Sequence, residues 1–240
     1  MNEKTEFTAE AVAGFKQAAA AHAAGLVAAG MAVGLGHGST AVAVAPHLAE
    51  RVRRGELSGT VFVPATHCMA EALRRQGLPV ACLDDWPVLD VAIDGADEIA
   101  PNLDCIKGGG GALLYEKIVA QAAGRLILVA DAGKLSPRLG TRHPLPVEVT
   151  PFALASELRF LAEIGGRPKL RLRSDGDPMR TERGNVVCDC AFGPLADPAA
   201  LAVALDTRAG VAGHGLFIGL AALAVAAGPE GVREIARPVA

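Results

Sequence analysis

The chain has 240 residues, 51% hydrophobic and 20% charged, with a formal net charge of −3 at pH 7, which suits a globular protein of one full core or two closely joined domains rather than a disordered chain. That balance leaves no overall basic footprint for nucleic acid, and no stretch reaches the roughly 18–20 uninterrupted apolar residues of a membrane span. The polar start M-N-E-K-T-E has no signal-peptide layout, so a soluble, cytoplasmic protein with neither nucleic-acid nor membrane partners is expected.

The first half alternates helices with apolar strands. An Ala-rich helix over Ala9 to Ala29 precedes a strand at Met31 to Leu35, which runs into G-H-G-S-T and a helix over Thr40 to Arg54. A strand at Thr60 to Val63, a helix near His67 to Gln76, and strands at Pro79 to Leu83 and Val88 to Ile93 follow. Then come a helix over Ala112 to Ala123 and a very apolar strand at Arg125 to Ala130. Buried, unalternated strands between helices imply a mostly parallel sheet covered on both faces. The basic run R-V-R-R at Arg51 to Arg54 falls at a helix C-terminus, where it complements the dipole.

The pattern changes after Pro144. A strand at Pro146 to Val149, a helix over Ser156 to Ile164, strands at Lys169 to Arg173 and Asn185 to Ala191, a helix over Pro198 to Thr207 and a last strand at Gly213 to Ile218 make the order β-α-β-β-α-β. That order is the ferredoxin-like signature. The apolar run from Leu216 to Gly228 is too short to span a membrane and reads as buried core. Residues from about 219 on, with a helix over Gly231 to Ala236, return to the first domain. The expected domains are therefore 1–143 plus 219–240, an α/β domain, and 144–218, a smaller α+β domain. Cys68, Cys82, Cys105, Cys188 and Cys190 show no C-x-x-C spacing, and Cys188 and Cys190 share one strand face, so free thiols are expected.

Four segments carry candidate chemistry. Gly34 to Thr40, G-L-G-H-G-S-T, lies between a strand and a helix. Glycines let backbone amides approach an anion, the helix N-terminus adds positive potential, and Ser39 and Thr40 add hydroxyls, so a phosphate is the natural guest. No lysine precedes the Ser-Thr pair, as a P-loop requires, and no acid ends the next strand, as a ribose-binding dinucleotide fold requires. The competing reading is a tight turn with Ser39 or Thr40 as N-cap. His37 in this loop either touches a phosphate or sugar hydroxyl or points to solvent.

Asp94 and Asp97, in D-G-A-D-E, close an apolar strand at the end where open α/β sheets bind ligands. They suit a hydroxylated substrate, a turn cap, or a metal with help from Glu98 and Asp104. Lys107 heads four glycines, Gly108 to Gly111, whose backbone entropy cost suggests close approach to a ligand. Glu116 follows on a helix with apolar residues three and four positions away, Ala112, Leu113, Val119 and Ala120. Partial desolvation there raises a carboxylate toward the range of a general base, against the plainer reading of an exposed glutamate. Lys134, after the strand ending at Ala130, supplies a cation at another strand end, and Lys16 stands alone on the first helix.

Together these segments resemble ribose-5-phosphate isomerase of the A type, in order over nearly the whole chain. The resemblance is carried by G-L-G-H-G-S-T, D-G-A-D-E-I, K-G-G-G-G-A-L with E-K-I, V-A-D-A-G-K, L-P-V-E-V, G-N-V and G-L-F. It implies a Rossmann-like domain with a ferredoxin-like insertion, a homodimer or homotetramer, and interconversion of D-ribose 5-phosphate and D-ribulose 5-phosphate with no metal or organic cofactor. It further implies Glu116 as the base that moves a proton between C1 and C2. Asp94 and Asp97, with Gly95 and Ala96, would bind sugar hydroxyls and assist ring opening. Lys107 would stabilise charge on oxygen beside Gly108, Gly109 and Gly110. His37, Gly38, Ser39 and Thr40 would form the substrate loop, with Lys134 and Lys16 as further substrate or phosphate contacts.

The chain departs from the family pattern at His37, where a threonine is usual, at Tyr115, where arginine is common, and at Pro64 to His67, which lacks a serine pair. Alternatives are a non-catalytic sugar-phosphate sensor, an isomerase for a related phosphorylated sugar, a CoA-transferase, an amino-sugar-phosphate deaminase and a nicotinamide-dependent dehydrogenase. Retention of Glu116 and the short stretch before the first helix weigh against the sensor. The missing ribose acid weighs against the dehydrogenase.

Overall fold

The computed structural model describes residues 7 to 238, so the segment 1–6, on which the signal-peptide expectation rests, lies outside the described residues. In chain order the elements are α1 (Ala9–Gly25), β1 (Ala32–Leu35), α2 (Ser39–Arg53), β2 (Val61–Pro64), α3 (His67–Arg75), β3 (Val91–Gly95), β4 (Glu98–Ile99), β5 (Cys105–Ile106), α4 (Leu113–Ala122) and β6 (Leu126–Asp131). After them come β7 (Leu145–Val149), α5 (Leu154–Glu163), β8 (Arg167–Leu170), β9 (Val186–Ala191), α6 (Pro198–Asp206), β10 (Val211–His214), β11 (Leu216–Phe217), β12 (Ala221–Gly228) and β13 (Gly231–Ala236). Two compact units result. Among the described residues, one takes 7–96, Tyr115–Leu135 and 220–238; the other takes Asp97–Leu114 and Ser136–Gly219.

The first unit is built on a sheet of order β13-β12-β6-β3-β1-β2. All neighbours are parallel except β13, which runs antiparallel along the β12 edge. The apolar runs of β1 and β6 are buried along their whole length, as strands covered on both faces must be. The chain leaves β1 for β2 on one side, while β3 and β6 lie on the other. The β1–β3 junction is therefore a topological switch point, whose carboxyl end is the usual ligand position in such sheets. Thr8 starts α1 by accepting a hydrogen bond from the Ala11 amide, and the small buried faces Ala19, Ala20, Ala23 and Ala24 join Ala41, Val44, Ala45 and Leu48 of α2 in one core.

The second unit holds β7, α5, β8, β9, α6 and β10 in the expected β-α-β-β-α-β order. Its sheet, β10-β7-β9-β8, is antiparallel throughout, which is the ferredoxin-like arrangement. Val147, Val149, Leu161, Val186, Cys188, Cys190 and Leu205 form its core. Each such aliphatic side chain contributes roughly 1.5–3 kcal/mol by leaving water. A separate three-stranded sheet, β11-β5-β4, also belongs to this unit. Its pairing is what assigns the stretch Asp97–Leu114 to the second unit, well before the change of pattern at Pro144.

Three expected elements come out differently. Gly231 to Ala236 is a strand, not a helix, because β12 and β13 form a hairpin that closes with Gly228 opposite Gly231. The expected last strand, Gly213 to Ile218, breaks at Gly215: β10 pairs with β7 while β11 pairs with β5. Pro79 to Leu83 makes only one bridge, Val80 to Phe62. The Leu216 to Gly228 run holds the long strand β12, and no helix among the described residues is long and apolar enough to cross a membrane.

Cys68 and Cys82 are exposed, whereas Cys105, Cys188 and Cys190 are buried and unbridged. Burial, with Asp189 adding to it, pushes the Cys188 thiol up to about 11, and burial with Cys188 adding pushes Cys190 up to about 12. A thiol-specific disulfide reagent should thus label Cys68 and Cys82 in the native protein and reach the other cysteines only on unfolding. The native state holds the Cys188 and Cys190 protons longer than the unfolded chain does. Their contribution to stability is intact below the ordinary thiol value of 9.0 and is lost as pH climbs through about 11 and 12. Thermal unfolding across that alkaline range should show a falling midpoint, and Cys188→Ala with Cys190→Ala should flatten the fall.

Candidate active site

The strand ends of the first unit carry most of the candidate groups. At the end of β1 the Gly36 amide donates to the Ile93 carbonyl of β3 at 3.0 Å, so the loop leaves the sheet beside Asp94. A Cβ on Gly36 would overlap the Asp94 carboxylate, and one on Gly34 would come within 2.5 Å of Val119 Cγ1 on α4. The glycines therefore let loop backbone lie against the carboxylate and let α4 seat on β1. Asp94 is buried and accepts a 2.7 Å hydrogen bond from the Gly95 amide. A Cβ on Gly95 would stand 3.5 Å from Thr40 Cβ, so Gly95 lies near the start of α2.

Glu116 is 5% exposed, which removes the plain surface reading. The His37 amide donates to Glu116 Oε1 at 3.3 Å. The His37 ring is anchored too: Nδ1 lies 3.1 Å from Thr66 Oγ1, and the same oxygen accepts from the Met69 amide at 3.2 Å as the N-cap of α3. The Thr66 hydroxyl bonds both the α3 amide and the His37 ring. His37 is thus a fixed part of the loop, and its anchor is Thr66, within the Pro64 to His67 segment that lacks the serine pair.

Gly38, at φ +101°, is the N-cap of α2 and makes no side-chain cap. Ser39 and Thr40 are the first residues inside the helix, so the capping alternative falls and their hydroxyls are not spent on the helix end. Lys16 Nζ donates to Ser39 Oγ at 3.1 Å, adding a cation to the positive end of α2. Lys134 ends a single 3-10 turn after β6, a turn capped by the Asp131 carboxylate on the Gly133 amide.

Within the second unit, Asp97 accepts from the Gly109 amide at 2.8 Å while its own amide donates to Ile106 at 2.8 Å. Lys107 is 2% exposed; its amide donates to the Gly215 carbonyl at 2.9 Å and its Nζ lies 5.4 Å from the Phe217 ring centroid. The glycine run owes more to the chain itself than the sequence suggests. Gly108 has φ +102°, and a Cβ there would crowd Leu113; one on Gly109 would reach Asp97 Oδ1 at 2.7 Å; one on Gly111, at φ +79°, would strike Met179. Intramolecular packing thus constrains Gly108, Gly109 and Gly111.

Arg171, which nothing in the sequence singled out, donates from Nη1 to the Gly108 and Gly109 carbonyls, each at 3.0 Å. The carboxylates next to the Asp pair have structural duties. Glu98, fully buried, accepts from the amides of Gly140 at 2.9 Å, Arg142 at 3.1 Å and His143 at 3.3 Å. Asp104 accepts from Asn102 Nδ2 at 2.8 Å and from the Gly219 amide at 2.9 Å.

Residues 61–231 match the family model described as Ribose 5-phosphate isomerase A (phosphoriboisomerase A). The ribose-5-phosphate isomerase A of Chloroflexus aurantiacus is 50% identical over 220 residues, covering 92% of each chain. That of Roseiflexus castenholzii is 48% identical, over 93% of this chain and 96% of its own. Among solved structures, ribose 5-phosphate isomerase A from Methanocaldococcus jannaschii superposes with a TM-score of 0.88 at 33% identity, over 93% of this chain and 98% of its own. A D-ribose-5-phosphate isomerase in complex with phospho-erythronic acid superposes with a TM-score of 0.92 at 36% identity, over 94% of this chain and 99% of its own. Fold, site and likeness define an enzyme of the aldose–ketose isomerase class. The chain belongs to the ribose 5-phosphate isomerase A family.

The overlap at Gly36 gives a sharp test. Gly36→Ala should force Asp94 and the loop apart and lower isomerase turnover by about a hundredfold, the scale of an ångström-sized misplacement. Gly14→Ala, on α1 with open space around it, is the matched control and should leave turnover unchanged, as steady-state assays of both variants would show.

Proposed function

We propose that the protein interconverts D-ribose 5-phosphate and D-ribulose 5-phosphate with Glu116 as the base. The observation that carries this is the buried Glu116 carboxylate, held by the His37 amide of the glycine loop. Glu116 takes the C2 proton of the open-chain aldose, which leaves an enediolate with negative charge on O1. It then returns the proton to C1. O1 gains a proton and O2 gives up its own, so the carbonyl moves from C1 to C2. One carboxylate able to deliver the proton it takes suffices for both halves.

The other groups divide the remaining work. Lys107 stabilises the developing oxyanion, with Gly108, Gly109 and Gly110 beside it. Asp94 and Asp97, with Gly95 and Ala96, hold the sugar hydroxyls, and Asp94 assists ring opening. His37, Gly38, Ser39, Thr40 and Lys16 hold the phosphate, where the N-terminus of α2 and the Lys16–Ser39 contact favour an anion. Lys134 adds a further substrate cation. The related structure with phospho-erythronic acid supports an anionic sugar-phosphate guest of this kind. The reaction needs base, donors and phosphate grip, and no metal or organic cofactor. The protein acts in the cytoplasm as a homodimer or homotetramer, as its family likeness suggests.

The purified protein should convert ribose 5-phosphate to ribulose 5-phosphate in the presence of a chelator; an inactive wild type would end this reading. Glu116→Gln should lower kcat by roughly 10²–10⁴-fold, the usual contribution of a positioned base, with KM little changed. Normal turnover by that variant would assign the base elsewhere.

A further inference from the structure

We propose that Arg171, fixed by Asp189, is a positioning residue for the isomerisation: it sets the peptide planes of the Lys107 to Gly111 loop. The proposal rests on the reading above that this loop handles substrate.

Arg171 follows β8 directly, and its backbone is held on both sides. Its amide donates to the Val187 carbonyl at 2.8 Å, and its carbonyl accepts from Met179 at 2.9 Å. The side chain is 15% exposed and that of Asp189 26%. Nε donates to Asp189 Oδ2 at 2.8 Å and Nη2 donates to Asp189 Oδ1, a two-point fork that fixes the guanidinium plane. The remaining nitrogen, Nη1, then points both its protons at the carbonyls of Gly108 and Gly109.

Two successive carbonyls converging on one nitrogen cannot alternate as they would in a strand. Both peptides are turned the same way by the backbone rotation at Gly109, the residue between the two carbonyls. The Gly109 amide meanwhile donates to Asp97 Oδ2. The chain of contacts Asp189, Arg171, Gly108 and Gly109, Asp97 thus links the orientation of the loop to a proposed sugar-binding carboxylate. The strands β8 and β9 do not need this pair to associate, since Pro168, Lys169 and Leu170 already face Cys190, Asp189 and Cys188 in register. Lysine could not replace the arginine: its protons radiate from one atom and cannot serve a carboxylate fork and two carbonyls at once.

The test uses the full chain with Arg171→Ala, Arg171→Lys and Asp189→Asn, read by steady-state kinetics and thermal unfolding. Folded Arg171→Ala should lose about a hundredfold in kcat with a much smaller change in KM, and Arg171→Lys should not restore it. Guanidinium at low millimolar concentration should recover part of the lost rate in Arg171→Ala, and ammonium should not. If Arg171→Ala fails to fold, Asp189→Asn, which loosens the fork without removing the guanidinium, must still lower kcat. Wild-type kcat in a folded Arg171 variant, or equal recovery with ammonium, overturns the proposal. An inactive wild type would instead overturn the substrate reading, so the two failures are distinct.

Discussion

No side-chain carbon fits between Gly36 and the Asp94 carboxylate, and the first unit's site is organised around that absence. A buried carboxylate is costly unless donors stand against it; the Gly95 amide is one, and the bare Gly36 backbone lets the loop pack against the same group. The loop that passes Asp94 continues one residue further, and there the His37 amide meets Glu116. A single short turn at a strand end thereby lies against one acid and bonds another, from different elements. The same turn opens α2 through Gly38, so the anion-attracting helix end sits in the same few residues.

The second unit solves a similar problem with a different tool. Its glycine loop has no regular secondary structure to hold it, and flexible backbone of this kind resists ordering. Neighbours within the chain supply the order: Asp97 takes an amide, Arg171 takes two carbonyls, and the Gly215 carbonyl takes the amide of Lys107. Gly215 is the residue at which the chain leaves one sheet for another, and a Cβ there would overlap the Lys107 carbonyl. Topology and site therefore share an atom-scale constraint at that position.

The chemistry-bearing segments were legible because each combines residue types that seldom serve packing together. D-G-A-D-E after an apolar strand, a lysine before a glycine run, and a lone glutamate among apolar helix neighbours are local patterns, and local patterns survive in sequence. Arg171, Asp189 and Thr66 were not legible. Their partners are distant in the chain, and R-L-R or A-T-H has no signature of its own. The errors of element type have the same origin. Gly231 to Ala236 has no strong intrinsic bias, and it is a strand because β12 offers it an open edge. Nor could the sequence show that Leu113, Asp97 and Met179 crowd Gly108, Gly109 and Gly111, since that depends on what folds back against the loop.

By itself the sequence determined the alternation that makes a parallel sheet, the β-α-β-β-α-β order of the second unit, the family, and the identity of the acids, lysines and glycines at issue. Those follow from periodicity and short spacing, which are properties of neighbouring residues. Tertiary structure decided which glycine serves which neighbour, that Glu116 is buried and bonded to a loop amide, that Glu98 and Asp104 accept backbone amides, and that an arginine clamps the glycine run. Those depend on distances between residues remote in the chain, which only the packed fold brings within hydrogen-bond reach.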